Sequence, residues 1–170
     1  MIAYMKKNLV LLILIFIVIP AIFGVYYIVS RKNVETPMDF NMIFKYGVKT
    51  KNELNTFNGT YTKDMILDPS IAINLSLSQE ELNSIYKEMV EINFFDYPEK
   101  FSFKHSIIPY SKYYFKVQYN NRVKELSWDE STVLDDTKAN KLQELISYII
   151  SLIESKKEYK NLPQPKGGYE

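Results

Sequence analysis

Between positions 100 and 124 the chain places six cations and no acid. They are Lys100, Lys104, Lys112, Lys116, Arg122 and Lys124, interleaved with Phe101, Phe103, Tyr110, Tyr113, Tyr114, Phe115 and Tyr119. Ammonium groups beside aromatic rings suit an anionic partner: a wall polymer, a lipid headgroup or an acidic protein. The competing reading is a solvated face, with Glu125, Asp129 and Glu130 neutralising the run across a hairpin and the aromatics turned into a core. Lys100, Lys104, Tyr110 and Lys112 fall between a predicted helix and a predicted hairpin, in the kind of connecting segment that carries binding residues more often than scaffold elements do. These four are the candidate partner contacts.

Catalytic chemistry is thinly supplied. His105 is the single histidine, set between Lys104 and Ser106. No serine carries the strand-turn-helix glycine pattern of a nucleophile elbow, so a Ser-His-Asp arrangement has no anchor point. Asp129-Glu130 and Asp135-Asp136 are adjacent in sequence, so their side chains diverge, and capping or solvated turns account for them better than a general acid and base. There is no cysteine, which removes thiolate nucleophiles, disulfides and Cys-based zinc sites. The glycines form no phosphate loop. The sequence therefore predicts no catalytic residue, no metal and no cofactor, and an enzyme is not the favoured class.

The element that sets the context of these residues is the apolar run at 9–29, LVLLILIFIVIPAIFGVYYIV, flanked by Lys6 and Lys7 before it and Arg31 and Lys32 after it. As a helix it would be roughly 31 Å long, close to the hydrocarbon thickness of a bilayer. It reads as a single-pass, uncleaved signal anchor. A cleaved signal peptide is the rival, but neither Ala21 nor Gly24 has the small partner residue that cleavage requires. The flanking charges balance, so the positive-inside rule gives no orientation. Placement at the start of the chain favours a C-terminal domain outside the cell membrane. Two of the 21 basic residues precede the run and all 20 acidic ones follow it. The remainder is thus nearly neutral, against nucleic-acid binding, which needs a basic surface. With only Arg31 and Arg122 as arginines, bidentate capture of carboxylate or phosphate is poorly provided for.

Beyond the anchor the organisation is a short tail at 1–8, a juxtamembrane linker at 30–40, one α+β domain at 41–157 and a loose tail at 158–170 with two Pro and two Gly. Residues 42–48 are rich in strand formers. Asn58-Gly59 signals a two-residue hairpin turn, which would pair Phe57 with Thr60 and Glu53 with Asp64. Residues 71–77 alternate as a half-buried strand. Ser78 and Glu81 form a capping box that opens a helix with Leu82, Ile85, Met89 and Ile92 on one stripe. A second hairpin turns at Asn120-Asn121, pairing Tyr113 with Trp128, Phe115 with Leu126, Val117 with Lys124 and Lys116 with Glu125. A last helix at 136–154 carries Ala139, Leu142, Leu145, Ile146, Ile149, Leu152 and Ile153. The fold class that buries these stripes is α+β: about five antiparallel strands, including two hairpins, with two amphipathic helices on one face, preceded by one transmembrane helix.

The segments LNTFNGTYTKDM, LSQEELNSIYKEMVEINFFDYP and YYFKVQYNNRVKELSWDE resemble those of small membrane-anchored or lipoprotein-like proteins of low-GC Gram-positive bacteria, a group of uncharacterised activity. The resemblance covers residues 40–165. It implies an envelope location and no catalytic residue; without a cysteine, lipid attachment is not carried over. The function expected is a non-catalytic binding module at the cell envelope, held by the bilayer through 9–29. A cell-envelope hydrolase, or a small inhibitory or regulatory subunit of a membrane complex, are the alternatives.

Overall fold

The computed structural model describes residues 18–20, 34–101, 110–129 and 137–169. The chain divides into two compact units, Met1–Glu35 and Thr36–Glu170. In the first, 18–20 are helical; the rest of the expected anchor at 9–29 lies outside the described residues. Among those described, no helix is long and apolar enough to cross a membrane.

The second unit is α+β. Its strands are β1 (Asn41–Gly47), β2 (Asn52–Asn55), β3 (Thr60–Met65), β4 (Asp68–Asn74), β5 (Lys100–Phe101), β6 (Lys112–Tyr119) and β7 (Arg122–Asp129). They form one sheet in the order β4-β3-β2-β1-β6-β7-β5. Six strands pair antiparallel, where the sequence led us to expect about five. The seventh, β5, is a two-residue strand running parallel to β7; two residues are too short to carry a periodicity. Helix α1 (Gln79–Glu91) follows β4, α2 (Thr137–Ser155) follows β7, and a single turn α3 (Lys157–Lys160) succeeds it.

Period-two alternation divides the sheet into a core face and an open face. Met42, Phe44, Leu54, Tyr61, Phe115, Val117 and Leu126 are buried, each at 1% exposure or less. Against them lie Ile85, Tyr86 and Met89 of α1 and the stripe of α2, of which Leu152 alone is only half-buried. Phe115 stacks on Phe44 with centroids 4.6 Å apart and meets Phe94 edge-on at 5.2 Å, an arrangement that adds to the burial term. Lys124 reaches round to donate to the Tyr97 carbonyl, and the Tyr97 hydroxyl donates to Lys138 O at 2.9 Å.

The capping box forms as the sequence predicts: Glu81 N donates to Ser78 Oγ, and Ser78 N to Glu81 Oε2 at 2.7 Å. Lys156 at the end of α2 also bonds that carboxylate, tying the two helices together.

The second hairpin has the expected register, including Tyr113 opposite Trp128 and Lys116 opposite Glu125. Asn120 and Asn121 both take positive φ, 47° and 58°, as a two-residue turn of this hand requires.

The first hairpin differs. Glu53 faces Thr62, and Asn55 faces Thr60, so the loop is four residues long instead of two. Asn55 Oδ1 accepts from the amides of Phe57 and Asn58, while Thr56 is drawn to β1, its amide donating to Met42 O at 2.9 Å and its hydroxyl accepting from Met42 N at 2.8 Å. Glu53 escapes the repulsion expected with Asp64 and pairs with Lys45 at 2.9 Å.

The two ends of the unit are also held. In the segment expected as linker, Phe40 is buried and the Asp39 carboxylate accepts from Asn120 N at 2.8 Å and Asn121 N at 2.7 Å. The tail, for which Pro and Gly predict a loose chain, lies along β3: Lys63 Nζ donates to Pro163 O at 3.1 Å, Lys166 bridges to Ile66, and the Tyr169 hydroxyl donates to Asp64. Lys63 and Asp64 are buried in consequence, at 4% and 6% exposure.

Candidate functional site

The open face carries one row of residues in register across four strands. Lys45 of β1 pairs with Tyr114 of β6, Tyr114 with Ser127 of β7, and Ser127 with Lys100 of β5. Neighbouring strands lie about 4.8 Å apart, so the two lysines stand roughly 14 Å apart at the backbone, with an aromatic ring and a hydroxyl between them. Two residues along, Lys112 faces Gly47 on one side and Asp129 on the other. Gly47 adds no side chain and takes φ +86°, which favours glycine. Together these residues line an open recess of about 600 Å³, joined by Thr50 and by Tyr113 and Trp128, which are largely buried. A smaller recess of about 380 Å³ lies beside it, lined by Glu99, Lys100, Glu125 and Ser127.

The charges here are partly matched. Lys112 Nζ lies 3.5 Å from Asp129 Oδ1 and 5.1 Å from the centroid of the Tyr110 ring. The Tyr110 side chain, ahead of the Asp129 carboxylate, holds the Lys112 ammonium above its usual range. Burial, followed by the Glu125 carboxylate, raises the Tyr114 phenol. Lys45 has its partner in Glu53. Lys100 is exposed and forms no ion pair with any described residue.

Of the four candidate contacts, Lys100 and Lys112 line the same recess, and Tyr110 sits against Lys112. Lys104 lies outside the described residues, as does His105. The six-cation run does not act as one patch: Lys124 is spent on the Tyr97 carbonyl, and Lys116 stands opposite Glu125. Lys45 and Thr50 had no signal in the sequence, because the pairing of β1 with β6 joins segments about seventy residues apart. Trp128 was legible as core, and it is 5% exposed; its Nε1 has no hydrogen-bond partner among the described residues. Among those residues no cluster of His, Cys, Asp and Glu is placed to hold a metal ion.

No family model matches the chain, and no curated protein matches it.

Proposed function

We propose that this chain is a single-pass membrane protein whose α+β domain, outside the cytoplasm, works by binding an anionic partner at the cell envelope. Residues 9–29 serve as its anchor, and the chain belongs with the small anchored proteins its wording resembles. The observation that supports this reading best is the convergence of Lys100 and Lys112 on one recess together with Lys45. Aromatic and hydroxyl groups lie between the ammonium groups, as in sites that hold a charged, hydroxylated ligand. Exposed charges are screened over about 8 Å at physiological ionic strength, so attraction to an extended anionic surface is salt-sensitive.

Two experiments test it. Full-length protein should stay in the membrane fraction, and protease added to protoplasts should remove the domain; release of a chain starting near Gly24 refutes the anchor. Detergent-solubilised protein should bind purified anionic wall polymer or anionic vesicles at low salt and release at moderate salt, while joint substitution of Lys100, Lys104 and Lys112 by Glu abolishes the binding. Equal binding by the triple variant makes the lysines an ordinary solvated face.

A further inference from the structure

We infer that the outer edge of β4 is a pairing surface for a second copy of this chain, the two β4 strands meeting antiparallel about a two-fold axis at Ala72 and joining the two sheets into one. The inference goes beyond the binding reading above and does not rest on it.

β4 ends the sheet and is laddered on one side only, to β3. Two bonds fix which way the backbone groups point. Leu75 N donates to Gly59 O at 2.9 Å, and Asp64 N turns away from β4 to Asn52 Oδ1, also at 2.9 Å. Alternation then aims the amides and carbonyls of Ile71 and Ile73 at β3, and those of Ala72 and Asn74, with the Ser70 carbonyl, outward. No described residue bonds these outward groups, and the side chains of Ser70, Ala72 and Asn74 are exposed. Proteins ordinarily blunt such an edge with lysine, proline, a bulge or a cover. From 69 to 79 this chain carries no charge. Pro69 and the register shift between Lys63 and Met65 fall together at the start of β4, and 71–74 keep a regular register.

The segment itself indicates its occupant. Ser70-Ile71-Ala72-Ile73-Asn74 is nearly symmetric about Ala72, with an isoleucine on either side and then a short polar residue. A two-fold interface must be self-complementary, because the same patch serves both copies. With the axis at Ala72, the two Ala72 residues exchange both N–H···O bonds, and each Asn74 amide meets the Ser70 carbonyl of the other copy. Ile71 falls opposite Ile73 of the other copy as a non-hydrogen-bonded pair, whose side chains approach most closely. Both isoleucines share the core face with their cross-strand partners Lys63 and Tyr61, and both are half-buried. Pairing therefore covers apolar surface that the single domain leaves at the rim of its core. Asp68, the nearest charge, falls opposite Ser76, so no like charges meet. Residues 70–74 make a short contact, smaller than the ~1,200–2,000 Å² of a stable interface, so the dimer is weak and a covalent trap is the way to read it.

The chain has no cysteine, so an introduced one reports its own position. Full-length protein in maltoside micelles carries Ala72→Cys or, as control, Thr62→Cys. Thr62 is the cross-strand neighbour of Ala72 on β3 and lies on the same face. In the inferred dimer the two residues at 72 are about 5.5 Å apart at Cα, within disulfide reach, and the two at 62 about 15 Å apart, beyond it. Oxidation with copper phenanthroline should form the disulfide dimer of Ala72→Cys at least about tenfold faster than that of Thr62→Cys. Adding Asn74→Pro removes an outward amide that the fold does not use and should return the rate to the control's, with the far-ultraviolet circular dichroism unchanged. Adding Ser70→Lys and Asn74→Lys jointly, at sites exposed in the single chain, sets ammonium groups opposite each other across the axis and should do the same. Equal rates at 72 and 62, as random collision or pairing through residues 9–29 alone would give, overturn the inference. So does an Ala72→Cys protein that stays monomeric, as it would if another chain's strand covered the edge, and so does a cross-link that survives both blocking variants.

Discussion

The hydroxyls of Tyr46 and Tyr61 lie 2.7 Å apart, with Tyr61 buried and within 3.4 Å of Asn52 Oδ1. Burial is the leading cause that drives both phenols far above their ordinary range. Both therefore stay protonated in the folded chain at pH values where the unfolded chain loses its phenolic protons. The folded state then binds more protons than the unfolded one, so stability is intact below about pH 10 and falls as pH rises beyond it. At about pH 11 the loss is roughly 1.4 kcal/mol for each phenol, or about 2.8 kcal/mol for the pair. That is a large share of the ~5–15 kcal/mol that holds a domain together. The perturbation is the set Tyr46→Phe, Tyr61→Phe and the double substitution. Near neutral pH each single change removes the Tyr46–Tyr61 hydroxyl contact, leaving Tyr61 only its 3.4 Å bond to Asn52 or leaving the half-buried Tyr46 hydroxyl without Tyr61, and costs about 1 kcal/mol, whereas the double change removes both groups and costs less than the sum. The assay is a urea titration of each variant followed by circular dichroism, at about pH 8 and about pH 11, with lysine ionisation common to all four proteins and cancelling in the differences. The double variant should lose about 2.8 kcal/mol less than wild type between the two pH values. Equal losses in wild type and double variant refute the claim that these phenols are held neutral by burial.

Two further outcomes are expected from particular contacts. Trp128→Ala, which removes a 5%-exposed ring stacked on Tyr113 at 5.3 Å, should cost about 3–5 kcal/mol in denaturant titration; a cost under about 1 kcal/mol would contradict the packing of the second hairpin. Tyr169→Phe deletes a hydroxyl bonded to the buried Asp64, leaving Lys51 at 3.6 Å as its ion-pair partner, and should cost about 1–3 kcal/mol, read in the same titration; an unchanged midpoint would show that the tail contributes nothing to the fold.

What the sequence disclosed, and what it withheld, follows the range of the interactions. The second hairpin was fully legible because its register depends on a local turn and on alternation within sixteen residues, and both point to the same pairing. The capping box at Ser78 was legible for the same reason. The first hairpin misled because the Asn58-Gly59 signal competes with two others: Asn55 closes its own turn, and Thr56 is claimed by β1, a strand the local sequence does not identify as its neighbour. The tail illustrates a different limit. Its Pro and Gly describe the backbone's freedom in isolation, while Lys63, Asp64 and Leu67, about a hundred residues earlier, supply the contacts that fix it. The recess combines both cases. Lys100 and Lys112 stand out as members of an acid-free run, whereas Lys45 enters only through the pairing of β1 with β6. The hairpin register already set Lys116 opposite Glu125 in the sequence, and the structure keeps that pair, whereas the bond from Lys124 to the Tyr97 carbonyl had no local signal.

The clasp between Asp39 and the turn of the second hairpin has a mechanical consequence. A pull on the chain from its N-terminal side is transmitted through the Pro37–Phe40 turn, closed by Phe40 N donating to Pro37 O at 3.0 Å, into β1. That strand lies in the interior of the sheet, laddered to β2 on one side and β6 on the other. Extracting it loads two sets of hydrogen bonds lengthwise and at once, while the Asp39 carboxylate fastens the incoming chain to Asn120 and Asn121. A pull from the C-terminal side instead meets the tail, whose few bonds to Asp64, Lys63 and Ile66 open one after another. The domain is therefore stiff toward a pull on its N-terminal side and compliant toward one on its C-terminal side, so that force entering at β1 reaches the sheet without first unravelling its border.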